Sequence, residues 1–108
     1  MSRPAREVAP LFAALGDDTR LKLVARLAGG RPLSITRLSE GSSVTRQAIA
    51  KHLRVLAGAG LAREKRSGRE HLWKLEPRRL TEARRYLEEV SRRWDEALER
   101  LRRFVETG

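Results

Sequence analysis

The segment from Pro77 to Glu106 constrains the fold more than any other, because it contains no glycine and no internal proline. Proline suits the first turn of a helix, and the apolar residues that follow are separated alternately by four and three positions. This seam consists of Ala83, Leu87, Val90, Trp94, Ala97, Leu101 and Phe104, broadened by Leu80, Leu98 and Val105. We predict one long helix that pairs with a second copy of the chain, since a domain of this size cannot cover the stripe alone. The alternative is that the helix folds back onto its own domain.

A first helix is predicted from Val8 to Leu15, where apolar residues recur at i, i+3, i+4 and i+7. Residues 1–7 are predicted to be a flexible arm, and the length of 108 residues is that of a single domain. We expect the first helix to close the interface formed by the last one. The predicted dimer interface consists of Leu11, Phe12, Leu15, Leu87, Val90, Trp94, Leu98, Leu101 and Phe104.

Three more helices are predicted before residue 60, each bounded by a capping side chain and by glycine. Asp17 or Asp18 caps the second helix, Ser34 caps a very short third helix over residues 35–40, and Thr45 caps the fourth. The apolar positions of the second helix are Leu21, Val24, Ala25, Leu27 and Ala28.

A β-hairpin follows the fourth helix. Its predicted strands are Leu61–Lys65 and Glu70–Leu75, joined by a turn that contains Gly68. We expect Trp73 on the second strand to pack the hairpin onto the core. The predicted fold is therefore mainly α with a small β-hairpin. It has four short helices, a hairpin wing and a long C-terminal helix, which is the winged helix-turn-helix plan.

The fourth helix, Thr45–Leu56, has one apolar face and one basic face. If Ile49, Leu53 and Leu56 lie in the core, the opposite face presents Arg46, Gln47, Ala50, Lys51 and Arg54. Arginine and lysine pair with guanine O6 and N7, glutamine pairs with adenine N6 and N7, and a small alanine permits close approach to a thymine methyl. In the wing, Lys65, Arg66 and Arg69 suit a phosphate ridge or a minor groove.

The positive charge is concentrated in the same region. The chain has a formal net charge of +10, with 24 Lys and Arg against 14 Asp and Glu. Residues 44–74 carry eight of the basic residues and two Glu, a net +6. Such an excess favours a polyanion by releasing counterions, so double-stranded DNA is the first partner expected and an anionic membrane surface the second.

Several classes of function are disfavoured by the composition. The chain has no cysteine, which removes disulfides, thiolate metal ligands and cysteine nucleophiles. No run of 18 apolar residues could span a membrane, and the N-terminus does not resemble a signal peptide. No phosphate-binding glycine loop, paired catalytic carboxylates or Ser–His arrangement is evident. We therefore expect a cytoplasmic, nucleoid-associated protein that is not an enzyme and needs no cofactor.

Two stretches carry a resemblance to a known family. Leu15-Gly16-Asp17-Asp18-Thr19-Arg20-Leu21 and Ala48-Ile49-Ala50-Lys51-His52-Leu53-Arg54-Val55-Leu56, followed by Gly60-Leu61, resemble the ArsR family of bacterial winged-helix repressors. The likeness runs from about Leu11 to Leu75. It implies a homodimer that binds a palindromic operator in or near its own promoter. The DNA-facing residues it implies are Thr45, Arg46, Gln47, Ala50, Lys51, His52 and Arg54, with Arg66 and Arg69 in the wing.

The chain departs from the metal-sensing members of that family. Those members place cysteines in the short helix before the turn, whereas residues 31–38 here contain no thiol or imidazole. A second known sensing site uses histidines on the last helix, and this helix has none. The chain thus resembles the branch that does not sense metals, some members of which are encoded beside START-like proteins. No metal site is predicted, and the nature of any small-molecule effector stays open.

Two histidines remain, His52 in the fourth helix and His71 in the wing. We expect His52 to contact a phosphate or a neighbour within its own helix. The leading hypothesis is a repressor that binds an inverted-repeat operator as a dimer. The alternative is a winged-helix module for protein–protein contact, with only non-specific affinity for DNA.

Overall fold

The structure, a computed structural model, describes residues 5–107 and confirms the mainly α winged helix-turn-helix fold. Its elements in chain order are α1 (Ala5–Leu15), α2 (Asp18–Leu27), β1 (Leu33–Ser34), α3 (Ile35–Ser39), α4 (Arg46–Gly58), β2 (Ala62–Ser67), β3 (Glu70–Leu75) and α5 (Pro77–Thr107).

Helix α1 begins three residues earlier than predicted. It starts at Ala5, so residues 5–7 of the expected arm 1–7 are helical, while residues 1–4 lie outside the described part of the chain. Glu7 in the first turn complements the partial positive charge of the helix N-terminus. Pro10 lies inside the helix, where it removes one backbone hydrogen bond without ending the element.

The predicted capping residues are confirmed at three helices. Asp17 accepts a hydrogen bond from the backbone N–H of Arg20, so it, rather than Asp18, caps α2. Ser34 caps α3 in the same way, and Thr45 caps α4. Each cap satisfies one of the backbone N–H groups that the first turn of a helix leaves unpaired.

The sheet has three antiparallel strands in the order β1-β3-β2, one more than the predicted hairpin. The added strand β1 has only two residues, Leu33 and Ser34, which pair with Trp73 and Leu72. The hairpin turn is also tighter than expected. Ser67 pairs with Glu70, so β2 runs two residues further than predicted. Gly68 has a φ of +61° and Arg69 a negative φ, as in a type II′ turn.

The core lies between α1, α2, α4 and the sheet. Its buried apolar residues are Val8, Leu11, Ala14, Leu23, Leu27, Leu38, Ile49, Leu53, Leu56, Leu61, Ala62, Trp73 and Ala83. Trp73 packs the wing onto this core, as predicted. The apolar positions predicted for α2 include Leu21 and omit Leu23, but Leu23 is buried and Leu21 is half exposed. Both residues fit a helical period, and only the packing against α4 distinguishes them.

Helix α5 divides into two parts. Its first turns pack on α1, where Ala83 is buried and the rings of Tyr86 and Phe12 lie 5.9 Å apart between centroids. Beyond Tyr86 the helix leaves the domain. The radius of gyration is 18.5 Å, against about 13 Å for a compact chain of this length. The first turns of α5 therefore pack on its own domain, as the alternative expected, and the rest of the helix projects away from it.

A run of large apolar residues is exposed on the projecting part of α5. We call it the α5 stripe, and it comprises Leu87, Val90, Trp94, Leu98, Leu101, Phe104 and Val105. All the α5 residues of the predicted dimer interface belong to it. Leu11 of α1 does not fit that interface, because it is fully buried in the core of its own chain and offers no surface to a second one. Phe12 and Leu15 are partly exposed and stay in the prediction.

We expect Leu23→Ala to lower the free energy of unfolding by about 2–5 kcal/mol, because it opens a cavity in the core. Leu21→Ala on the same helix is the matched control and should cost at most about 1 kcal/mol, since half of its side chain is already in water. Urea unfolding at one protein concentration measures both. Equal losses would contradict the packing described for α2.

Candidate nucleic-acid interface

Helix α4 is oriented by the burial of one of its faces. Ile49, Leu53 and Leu56 are at most 1% exposed, which confirms the predicted apolar face. The Thr45 hydroxyl accepts a hydrogen bond from the backbone N–H of Ala48 at 3.1 Å and fixes the start of the helix. The short helix α3 packs against α4. The two helices and their connection over residues 40–45 form the helix-turn-helix.

The opposite face of α4 is polar and open to solvent. Arg46, Gln47, Lys51 and Arg54 are exposed, and Ala50 between them is half buried. Within residues 5–107, the three basic side chains of this face form no ion pair and no side-chain hydrogen bond. On α5, by contrast, several arginines are paired with glutamates three or four residues away. The basic face of α4 is therefore available to an external anion.

The wing carries a second group of cations. Lys65, Arg66 and Arg69 are exposed and, in the described chain, also form no ion pair. Lys65 lies opposite Leu72 in the ladder and Arg66 opposite His71, so their side chains point to opposite faces of the hairpin. Arg69 lies in the turn itself. This arrangement suits a wing that inserts between two phosphate-lined edges better than one that lies flat on a single edge.

A cross-strand pair of side chains, His71 on β3 and Glu64 on β2, stabilises the wing. The ring of His71 lies 2.5 Å from a carboxylate oxygen of Glu64, and both side chains are about half exposed. Glu64 thereby has a partner within the hairpin and is not directed at the basic residues of the wing.

His52 has partners on other elements and none within its own helix. Its Nδ1 lies 3.1 Å from a terminal guanidinium nitrogen of Arg20 and 3.9 Å from a carboxylate oxygen of Asp17. The intra-helix contact considered for His52 is therefore wrong. The side chain lies between the buried and the outward faces of α4 and is 24% exposed. Arg20 was not predicted as a functional residue, although it lies in the first of the two stretches that carry the family resemblance.

The corner between α1 and α2 holds Arg20 in place. Its Nε donates to the backbone carbonyl of Ala14 at 2.5 Å, and its backbone N–H donates to Asp17 at 3.0 Å. That backbone hydrogen bond, with the nearby guanidinium of Arg20, lowers the pKa of Asp17 below its ordinary value. The corner and the middle of α4 are thus joined through Arg20.

The described residues give no sign of a metal centre or a membrane segment. Among residues 5–107 no three His, Asp or Glu side chains come together as a possible metal site. No helix in the described chain is long and apolar enough to cross a membrane.

We expect the stability that the charged Asp17 cap contributes to disappear in acid. Its pKa is lowered in the folded state, so the contribution is complete above the ordinary value of 3.8 and is lost as the pH falls through the lower folded value. Asp17→Asn keeps a capping oxygen without the charge. The difference in unfolding free energy between the native protein and this variant should shrink from about pH 6 to about pH 3. A difference that does not change over this range would contradict the assignment.

Comparison with known proteins identifies the family. A family model described as a helix-turn-helix domain matches residues 15–65. The HTH-type transcriptional regulator Rv2034 of Mycobacterium tuberculosis is 36% identical over 87 residues, covering 81% of this chain and 78% of that protein. An ArsR-like transcriptional regulator from Rhodococcus sp. RHA1 has the same fold, with a TM-score of 0.77 and 35% identity over 92% of each chain.

A third likeness is to the AntR antimony-specific transcriptional repressor. Its structure has a TM-score of 0.60 and 30% identity, over 89% of this chain and 83% of that one. Sequence and fold thus agree along most of the chain, and the protein belongs to the ArsR-like family of DNA-binding helix-turn-helix transcriptional regulators.

Proposed function

We propose that the protein is a homodimeric repressor that binds an inverted-repeat operator sequence-specifically, in or near its own promoter. The observation that carries the proposal is the exposed face of α4, whose cations have no partner in the described chain. The wing that follows α4 in the chain carries a second group of cations that form no ion pair among the described residues. Charged groups left unpaired together on one surface are the signature of a polyanion site.

The roles of the α4 residues follow from their chemistry. Arg46 and Gln47 lie in the first turn, which in a helix-turn-helix points at the base edges of the major groove. Arginine reads guanine and glutamine reads adenine through paired hydrogen bonds. The hydroxyl of Thr45 is occupied as the helix cap, so its role at the interface is to fix the start of the helix. Lys51 and Arg54, further along the same face, provide further base or phosphate contacts.

The α5 stripe supports the homodimer. Seven large apolar side chains on one side of a helix that leaves its own domain form a surface that a second copy of α5 would cover. A twofold dimer places two copies of α4 about one turn of DNA apart, roughly 34 Å, which requires an inverted repeat. AntR, a relative in fold and sequence, is a repressor, and a dimer seated on a promoter would block polymerase sterically.

The combined variant Arg46→Ala and Gln47→Ala tests the assignment of α4 to base reading. Losing one bidentate contact costs about 1–3 kcal/mol per half-site, so operator affinity should fall at least about tenfold, together with the preference over scrambled DNA. Fluorescence anisotropy with the upstream region and with scrambled duplex measures both. Arg100→Ala, which removes one exposed charge from α5, is the control and should change neither.

Two results would contradict the proposal. Unchanged affinity and preference in the double variant would show that α4 does not read bases. Weak binding of the native protein that ignores sequence would instead favour the protein–protein module considered from the sequence.

The variant Trp94→Glu tests the dimer, because it places a charge in the middle of the α5 stripe. We expect sedimentation equilibrium to give twice the 12.3 kDa protomer mass for the native protein and a largely monomeric variant. Arg85→Gln is the control. It changes the net charge by the same amount on the opposite side of the helix and should stay dimeric. A native monomer, or a dimeric Trp94→Glu variant, would be inconsistent with the interface.

A further inference from the structure

The Nδ1 atom of His52 has two neighbours that require opposite protonation states. A guanidinium group can only donate hydrogen bonds, so a bond from Arg20 needs Nδ1 without a proton. A carboxylate can only accept, so a bond to Asp17 needs Nδ1 to carry one. The tautomer of His52 therefore depends on which neighbour is the partner.

The distances favour Arg20. Its guanidinium nitrogen lies 3.1 Å from Nδ1, within hydrogen-bonding range, whereas the carboxylate oxygen of Asp17 lies 3.9 Å away, beyond it. Asp17 is in addition already engaged by the backbone N–H of Arg20. Nδ1 is therefore the acceptor, the ring is neutral, and its proton is on Nε2.

Arg20 is held firmly enough to impose this choice. Its Nε donates to the carbonyl of Ala14 while its terminal nitrogen reaches His52, so one planar group bridges the end of α1 and the middle of α4. A guanidinium already held by one hydrogen bond loses less further freedom when it bonds the imidazole.

We propose that Arg20 is a positioning residue that holds His52 in the Nε2–H tautomer and directs that N–H to a DNA phosphate at the edge of α4. Nε2 is on the edge of the ring remote from Arg20, and the side chain is 24% exposed at the margin of the outward face. The inference rests on the proposed DNA-binding function and adds to it a contact made by a neutral donor. Such a donor fixes the register of the helix on the phosphate backbone without replacing a bound cation.

The tautomer can be measured directly in the free protein. We expect long-range ¹H–¹⁵N correlation spectra at neutral pH to show the His52 proton on Nε2, and Arg20→Met to weaken that preference. His71, whose Nδ1 lies beside the carboxylate of Glu64, is the internal control and should carry its proton on Nδ1. A His52 proton on Nδ1 would overturn the inference, whatever the behaviour of the Arg20 variant.

Two substitutions of His52 separate its nitrogens in DNA binding. Glutamine places its amide near the position of Nε2 and can donate to a phosphate, whereas asparagine reproduces only the position of Nδ1. We expect operator affinity to be retained in His52→Gln and to fall about fivefold or more in His52→Asn, because each copy loses one hydrogen bond. Equal affinities of the two variants would overturn the inference.

The salt dependence distinguishes this contact from a charge contact. The slope of log K against log salt should be unchanged in His52→Asn, because the lost group is neutral. In Lys51→Gln the slope should become shallower by about one unit per copy. A reduced slope in His52→Asn would mean that the imidazole binds DNA as a cation, which the proposed tautomer does not allow.

The outcomes for this inference and for the proposed function are distinct. If the Arg46 and Gln47 substitutions abolish operator preference while the two His52 variants bind alike, the function stands and the positioning role fails. If the native protein shows no sequence preference, the function fails even where the spectra show the Nε2–H tautomer. The comparison of the His52 variants and the spectra of the native protein need no Arg20 variant, so they remain valid if Arg20→Met does not fold.

Discussion

The burial of a single face of α4 is the constraint on which the candidate DNA surface depends. A helix advances by about 100° per residue, so placing Ile49, Leu53 and Leu56 in the core forces Gln47, Lys51 and Arg54 outward. Within the described chain, none of these outward side chains has a hydrogen-bond or ion-pair partner. Their direction is therefore set only by the packing of the opposite face of the helix. The core thus serves two purposes. It stabilises the domain, and it sets which residues a neighbouring polyanion meets.

Helix α5 extends that constraint beyond the domain. Its first turns belong to the core through Ala83 and the Tyr86–Phe12 contact, while the α5 stripe lies on the same uninterrupted helix further along. Helix α5 is a single continuous helix of 31 residues and is stiff along its length. In the proposed dimer, the pairing of two α5 stripes would therefore set the separation of the two α4 helices. This explains why an apolar surface of such extent is compatible with a small regulator. In the proposed dimer this surface is covered by a second copy of the chain.

Elements that depend on local sequence were predicted correctly. Features that depend on packing against another element were not. Periodicity and caps identified the long helix to within one residue and the buried face of α4 without error. The two-residue strand β1 has no period to detect and exists only because β3 offers a free edge. The spacing of Leu11 in the sequence fits both the core and the dimer interface. Only tertiary packing assigns it to the core. Which phosphates or bases the exposed residues contact is likewise a property of the complex.

The contact between Arg20 and His52 gives a physical reason for the two stretches that carry the family resemblance. Gly16 follows the end of α1, Asp17 caps α2, and Arg20 joins that corner to His52 in the second stretch. Arg20 and His52 are 32 positions apart in sequence, and their hydrogen bond joins the two stretches in the fold. A substitution of Arg20 at the corner would therefore remove a contact of His52 without replacing any outward residue of α4. In the proposed complex, Arg20 would thus act on the DNA-binding face through His52 without contacting DNA itself.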